Sequence, residues 1–299
     1  MKDKKILMAT LAALGAQVIF GFSFMFTKIA LNSASPMTVI ADRYIIAFFS
    51  MTIVLLLTKT KIRLGRNLWK LVIMSLFQPF LYFIFESYGI SLTTSAFSSV
   101  MISMIPVVSM IGGMFFLKEI PSPMQYLFSA ISIGGVVIMA VSANAEGIVT
   151  PLGILFLVGA VLSSVGYNII SRKISGEFTV IERTYAMMLI GLILFLSISI
   201  TENFENPIAV ITPFMVKEYT VSILYLGIVS SVAAFLMLNF ANTYLPVSKT
   251  TAFSNLTTVV SVVAGAVILK EQITIVSLLA IIMIIIGVWG VQILGVKQR

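Results

Sequence analysis

The sequence predicts an all-α membrane protein: ten transmembrane helices laid out as two inverted five-helix repeats, with the N- and C-termini cytoplasmic. Three observations predict it. Hydrophobic residues make up 59% of the chain and charged residues 10%, at a mean hydropathy of +1.10, whereas a water-soluble domain carries roughly 25% charged residues. Apolar runs long enough to cross a bilayer, about 20 residues each, recur along all 299 residues. The pattern of the first half also returns in the second. Helices follow because hydrocarbon cannot satisfy an open backbone, and no alternating barrel-strand pattern is present.

Ten spans are predicted, and the turn chemistry between them sets the breaks. The first five are Ile6–Leu31, Met37–Thr58, Leu68–Ser91, Ser95–Leu117 and Met124–Ala143. The second five are Leu152–Ser171, Thr179–Thr201, Thr220–Leu245, Thr250–Leu269 and Ile273–Val296. The run that follows Met1–Lys5 is too long for the apolar core of a signal peptide and lacks a cleavage pattern, so it reads as a span. The repeats are residues 1–145 and 146–299. With the N-terminus inside, the inner face collects Lys2, Lys4, Lys5, Lys59, Lys61, Arg63, Arg66, Lys70, Lys118, Arg172, Lys173, Arg183, Lys249, Lys297 and Arg299, which is 15 of 19 cations. Lys28, Arg43, Lys217 and Lys270 remain outside, and such a bias places both termini in the cytoplasm.

Three pairs of segments carry the repeat. Ile105 to Glu119 registers without gaps on Thr257 to Glu271, each span ending Leu-Lys-Glu. Gly21-Phe22-Ser23 with Lys28 answers Gly166-Tyr167-Asn168 with Lys173, and Asp42-Arg43 answers Glu182-Arg183. Five helices is an odd number, so the second copy enters the membrane from the opposite side. Inverted repeats of this kind recur in secondary transporters, which bind solute near the midplane between the halves.

The residue inventory excludes several chemistries. There is no Cys and no His, which removes thiolate catalysis, Cys- or His-ligated metal and the usual neutral-pH proton shuttle. An intramembrane enzyme would need a nucleophile with a base, or paired carboxylates, at depth; with one deep carboxylate, no enzymatic activity and no cofactor or metal is expected. No Walker A motif is present, so ATP drive from this chain is not expected. The +8 net charge reads as cytoplasmic loops rather than as a nucleic-acid surface.

Polar residues inside the spans are the candidates for solute contact, because a charge at that depth costs roughly 2.5–3.5 kcal/mol on insertion scales and turns to the protein interior. Gln78, Tyr82 and Glu86 share one face of the third span at four-residue spacing. This stripe is either a substrate- or proton-binding wall, or Glu86 pairs with Lys28 or Arg43, which are the gating or charge-pairing candidates. Gln17, Phe22 and Ser23 in the first span, with Tyr167 and Asn168 in the sixth, flank the paired Gly21 and Gly166. The eighth span offers Phe235 and Asn239, followed by Asn242, and the ninth offers Asn255. Hydroxyls at Ser95, Ser99, Ser103, Thr251 and Thr258 read as structural, bonding their own backbone or gluing helices together, and Glu119 and Glu271 as surface groups near Lys118 and Lys270. The fifth and tenth spans hold little polarity and read as peripheral supports.

These residues resemble the drug/metabolite transporter superfamily, in its EamA-like ten-helix branch. The resemblance spans nearly the whole chain. Its carriers are Phe20-Gly21-Phe22-Ser23 with Lys28, Arg43, the run Leu81-Tyr82-Phe83-Ile84-Phe85-Glu86, Pro106-Val107, and the helix-ending Glu119 and Glu271. Phe20 stands where the family often has Trp, Thr258 where a Pro is expected, and Ser87 where Asn often follows the Glu. The resemblance implies a multi-pass carrier in the cell (plasma or inner) membrane, often an exporter, for a small organic solute such as an amino acid, metabolite or drug. It would work by alternating access, as monomer or homodimer, with protons as a candidate coupling ion. A channel or a non-transporting membrane scaffold is the alternative, and saturable flux with counterflow would separate them.

Overall fold

The computed structural model describes residues 2–60, 67–116, 122–145, 149–205, 208–245, 250, 253–271 and 273–293. Lys61, Arg63, Arg66, Lys118, Glu119, Lys249, Thr251, Lys297 and Arg299 lie outside these, and the side chain of Asn255 lies outside the described groups. Among the described residues the chain is helical, with no strand. In order the long helices are α1 (Lys2–Ala30), α2 (Pro36–Thr58), α3 (Leu68–Ser91), α4 (Ser95–Ile102 and Ile105–Phe116), α5 (Pro123–Ala145), α6 (Pro151–Lys173), α7 (Val180–Glu202), α8 (Lys217–Tyr244), α9 (Ser254–Val267) and α10 (Ile275–Ile293), with a short helix Ile208–Ile211 and a 3-10 turn Thr212–Met215 between α7 and α8. Six of them (α1, α2, α3, α6, α7 and α8) are long and apolar enough to cross a membrane, and the other four contain shorter apolar segments. Each falls on one span predicted from the sequence.

Local chemistry starts the helices where the turn residues stand. Ser35 caps α2, its Oγ accepting from Thr38 N at 3.3 Å, with Pro36 as first helical residue. Thr150 and Pro151 open α6 in the same way, Thr150 Oγ1 accepting from Gly153 N at 3.1 Å. Such hydroxyls satisfy backbone donors that a helix start leaves free, and Pro has no N–H to lose there. Thr179 and Glu182 form a reciprocal capping box on α7, which gives Glu182 a structural task.

Three helices are interrupted inside the bundle. In α3, Gln78 leaves helical geometry (φ −149°, ψ 117°) just before Pro79, within a π-helical stretch Leu76–Leu81. Pro79 offers no N–H and restricts the residue before it, so the ladder breaks here. In α4 the break falls between Ile102 and Ile105, where Pro106 cannot donate to Ile102 O. In α8 residues Tyr225–Ala234 are π-helical, a form that accompanies functional positions.

Packing places the site. A core of Tyr44, Phe83, Tyr167, Met187, Phe195 and Phe235 joins α2, α3, α6, α7 and α8. The principal helix contacts are α2 with α7, α1 with α9 and α8, α3 with α6, and α4 with α9. The α5–α10 pair packs mainly on itself. At Gly287 an added Cβ would stand 2.6 Å from Phe128 O and Ser132 N, so the two backbones touch only because no side chain intervenes. Leu127, Val137, Leu279 and Trp289 leave the outer faces of this pair exposed and apolar, the peripheral placement the sequence suggests.

Candidate functional site

One cavity of about 60 Å³ opens inside the bundle, between α1, α2, α3, α4, α6, α8 and α9. Its polar lining gathers Gln17, Ser23, Arg43, Gln78, Glu86 and Asn168, all expected from the sequence, together with Tyr82. Each of the seven is at most 8% exposed. They come from four helices, α1, α2, α3 and α6, and the unwinding at Gln78 adds its side chain to the face that carries Tyr82 and Glu86.

The charged end of the cavity lies near the end of the bundle that carries Lys28. Glu86 is five residues from the end of α3, about 7.5 Å, and Arg43 seven residues into α2, about 10 Å. Glu86 accepts from Tyr82 OH at 2.8 Å. Arg43 donates through Nε to Ser231 Oγ at 2.7 Å and through Nη2 to Ser230 Oγ at 2.9 Å, and its guanidinium lies 4.1 Å over the Phe83 ring. Ser23 Oγ in turn donates to Ser230 Oγ at 2.8 Å. Neither Arg43 nor Lys28 forms an ion pair with Glu86; the ion pair among the described residues joins half-buried Lys70 and exposed Glu177.

Two lining atoms have no hydrogen-bond partner among the described residues. Gln78 Oε1 and Ser254 Oγ are buried and unbonded, although buried polar groups are nearly always satisfied. Both line the cavity. An occupant with hydrogen-bond donors would complete them.

Other expected residues stand away from the cavity lining. Tyr167 and Asn239 are fully buried in a polar cluster of their own. Asn239 Oδ1 accepts from Tyr167 OH at 3.0 Å and Ser171 Oγ at 2.9 Å, and its Nδ2 donates to Thr184 Oγ1 at 3.0 Å. Phe235 packs edge-on against Phe20, Phe83 and Tyr167 as core. Phe22 is half-buried on α1 and is not among the lining residues. Of the hydroxyls read as structural, Thr258 Oγ1 joins α9 to α4 at Ser99 O and Ser95 Oγ donates to Glu271, whereas Ser99 and Ser103 bond their own helix at Ala96 O and Val100 O; Ser261 Oγ to Ser95 O and Thr257 Oγ1 to Gln17 O and Oε1 add further links between helices.

Lys28 and Glu271 form a clasp at their end of the bundle. Lys28 Nζ donates to Ile90 O at 2.9 Å and to Thr93 O, at the C-terminal end of α3. Glu271, following α9, accepts from Ser95 N at 2.8 Å, Ser95 Oγ at 2.9 Å and Ala96 N at 3.0 Å, at the N-terminus of α4. A cation thus meets a helix C-terminus and an anion a helix N-terminus, the signs the two helix dipoles favour. Glu271 is therefore a helix cap and not the surface group the sequence suggested, because free backbone N–H groups are better partners than a mobile lysine. At the opposite end Arg172, rather than the exposed Lys173, donates to Asn242 O at 2.9 Å and Thr243 O at 2.7 Å, at the C-terminus of α8.

Several lining residues carried no signal on their own: Phe20, Phe24, Ser164, Ser230, Ser254 and Thr257. Only Ser230 and Ser231 could have been sought, as partners that buried Arg43 requires.

Comparison with known proteins gives a consistent result. The model of the EamA-like transporter family matches twice, over residues 7–141 and 151–293. An "Uncharacterized transporter YcxC" of Bacillus subtilis (strain 168) is 31% identical over 286 residues, covering 94% of this chain and 92% of the relative. A solved crystal structure superposes at a TM-score of 0.68 with 17% identity, over 96% of this chain and 99% of the other, so the overall fold is shared.

Proposed function

The chain belongs to the EamA-like transporter family, a multi-pass protein of the cell membrane, and from that premise we propose that it is a secondary carrier exporting a small organic solute by alternating access. The solute would be an amino acid, a related metabolite or a drug. It would occupy the central cavity, with Gln17, Ser23, Arg43, Gln78, Tyr82, Glu86 and Asn168 as its contacts. The observation that carries the reading is the pair of buried, unbonded lining atoms, Gln78 Oε1 and Ser254 Oγ, in a cavity walled by both halves of the chain.

We propose further that all ten helices span, as two opposed five-helix halves with cytoplasmic termini. Support comes from the packing itself: exchanging each helix with the one five places along turns α3–α6 into α8–α1 and α1–α9 into α6–α4, and returns α2–α7, α4–α9 and α5–α10 to themselves. Lys28 on α1 caps α3 and Arg172 on α6 caps α8, at opposite ends. In this orientation the clasp of Lys28 and Glu271 closes the outer side, while Thr250 and Ser254 line the cavity toward the inner side. Protons are the coupling ion we favour, with Glu86 and its Tyr82 partner as the exchange site.

The test is saturable counterflow in proteoliposomes over a panel of amino acids, organic acids and toxic amines. We expect at least one solute to exchange, and Glu86→Gln to abolish the pH dependence of its flux. No flux for any solute would sink the carrier reading, and unchanged pH dependence in Glu86→Gln would sink the proton site.

A further inference from the structure

The Arg43 guanidinium is a buried cation that makes no ion pair among the described residues, although the Glu86 carboxyl shares its cavity and acts on it through space. It is 3% exposed, and taking a charge out of water costs several kcal/mol unless a partner compensates. Its direct contacts are neutral groups. Phe83 covers one face at 4.1 Å, Ser231 takes the Nε hydrogen and Ser230 takes one Nη2 hydrogen. Ser230 is itself oriented by Ser23. What remains is the end-on edge, with Nη1 and the second Nη2 hydrogen unbonded among the described residues, on a side chain that lines the cavity. Glu86 does not pair with it and instead holds Tyr82 OH.

We propose that this edge is the anchor for the solute's own negative charge, and that the cavity takes a small solute bearing a carboxylate. A planar carboxylate matches two parallel N–H donors of a guanidinium, a geometry a lysine cannot offer. Gln78 Oε1 and Ser254 Oγ, unbonded in the same cavity, then meet polar groups on the remainder of the solute. The proposal rests on the central cavity being the solute site. It adds that a bare amine or an uncharged analogue of the same size is rejected, because it leaves the arginine uncompensated.

The experiment uses the full-length protein in nanodiscs and four probes: butyrate, butyramide, n-butylammonium and chloride, each titrated to high millimolar concentration with thermal unfolding as the readout. Butyrate alone should raise the unfolding temperature. Arg43→Gln should lower its apparent affinity about ten- to a hundredfold, as expected for a lost charge-assisted bond pair, with Arg43→Lys in between. Ser230→Ala keeps the charge but loosens its placement, and should weaken butyrate by a smaller factor. Butyrate stabilising wild type and Arg43→Gln alike, butyramide or butylammonium matching butyrate, or no butyrate response at all would each overturn the proposal. An equal, Arg43-dependent response to chloride would overturn the carboxylate assignment. Arg43-dependent butyrate binding in a protein that shows no counterflow would leave the anion site standing and remove the carrier reading.

Discussion

Gly21→Ala should damage the cavity although residue 21 does not line it. Gly21 lies where α1 crosses α9, and a Cβ there would stand 2.6 Å from Val260 Cβ, 2.7 Å from Val260 Cγ1 and 2.9 Å from Thr257 O. Ordinary carbon contacts begin near 3.5 Å, so α9 must withdraw by about 1 Å. Val260 cannot yield alone, since a β-branched side chain in a helix has essentially one rotamer. Overpacking of this kind costs about 1–3 kcal/mol. The same withdrawal carries Thr257 Oγ1 away from Gln17, to which it now donates at 2.6 and 2.9 Å, for about 1 kcal/mol more. We therefore expect a loss of roughly 2–4 kcal/mol in a steric-trapping measurement of stability, together with weaker solute binding. Gly15→Ala is the control on the same helix, because its Cβ would meet only the flexible Met237 Sδ at 3.4 Å. That substitution should be neutral or stabilise by up to about 1 kcal/mol, the helix preference of Ala over Gly. If Gly21→Ala and Gly15→Ala behave alike, the argument from backbone approach is wrong.

Three further outcomes are expected. Asn239→Leu removes the acceptor of Tyr167 OH and Ser171 Oγ, although Ser171 Oγ keeps the bond from Arg183 Nη1, and should cost about 1–3 kcal/mol of stability while leaving solute affinity in the surviving folded protein unchanged; a selective loss of affinity would restore Asn239 as a contact. Glu271→Ala uncovers the N-terminus of α4 and should cost about 0.5–2 kcal/mol, with Glu271→Gln milder, as read by thermal unfolding. Glu177, whose carboxyl is held below the usual glutamate range first by the Lys70 hydrogen bond and then by Asn67, should contribute stability at neutral pH that is lost as pH falls through its depressed value. That contribution should also fade in high salt because the pair is exposed, so a Glu177→Gln difference that persists in molar salt or at pH 3 would contradict it.

The helical layout along the chain was legible because hydropathy is a property of consecutive residues. All ten predicted spans coincide with helices, and Leu68–Ser91 does so end to end. The Gln78, Tyr82 and Glu86 stripe was legible for the same reason, spacing on one helix being local. What stayed hidden depends on residues far apart in the chain. Glu271 and Ser95 are 176 positions apart, and nothing beside Glu271 reveals a helix start waiting for it. Tyr167 and Asn239 read as solute contacts because a buried phenol and amide need partners; that they satisfy one another across α6 and α8 is a tertiary fact. The π-helical run in α8 lacks the proline that marks the break in α3. Lys173 aligned with Lys28 in the repeat, yet a one-residue drift hands the capping task to Arg172.

The clasp between Lys28 and Glu271 grips main-chain atoms for the most part: two carbonyls on one side, two amides and a single hydroxyl on the other. Such a latch is indifferent to spelling and strict about length. Leu92 could be exchanged for many residues without its loosening, whereas one residue added or removed between Ser91 and Ser95 would shift both helix ends out of reach together. Drift at this turn should thus be free at Leu92, restricted at Thr93 and Thr94, whose hydroxyls bond Gly89 O and cap the next helix, and forbidden in size, while the main-chain groups that the two charged ends hold cannot titrate.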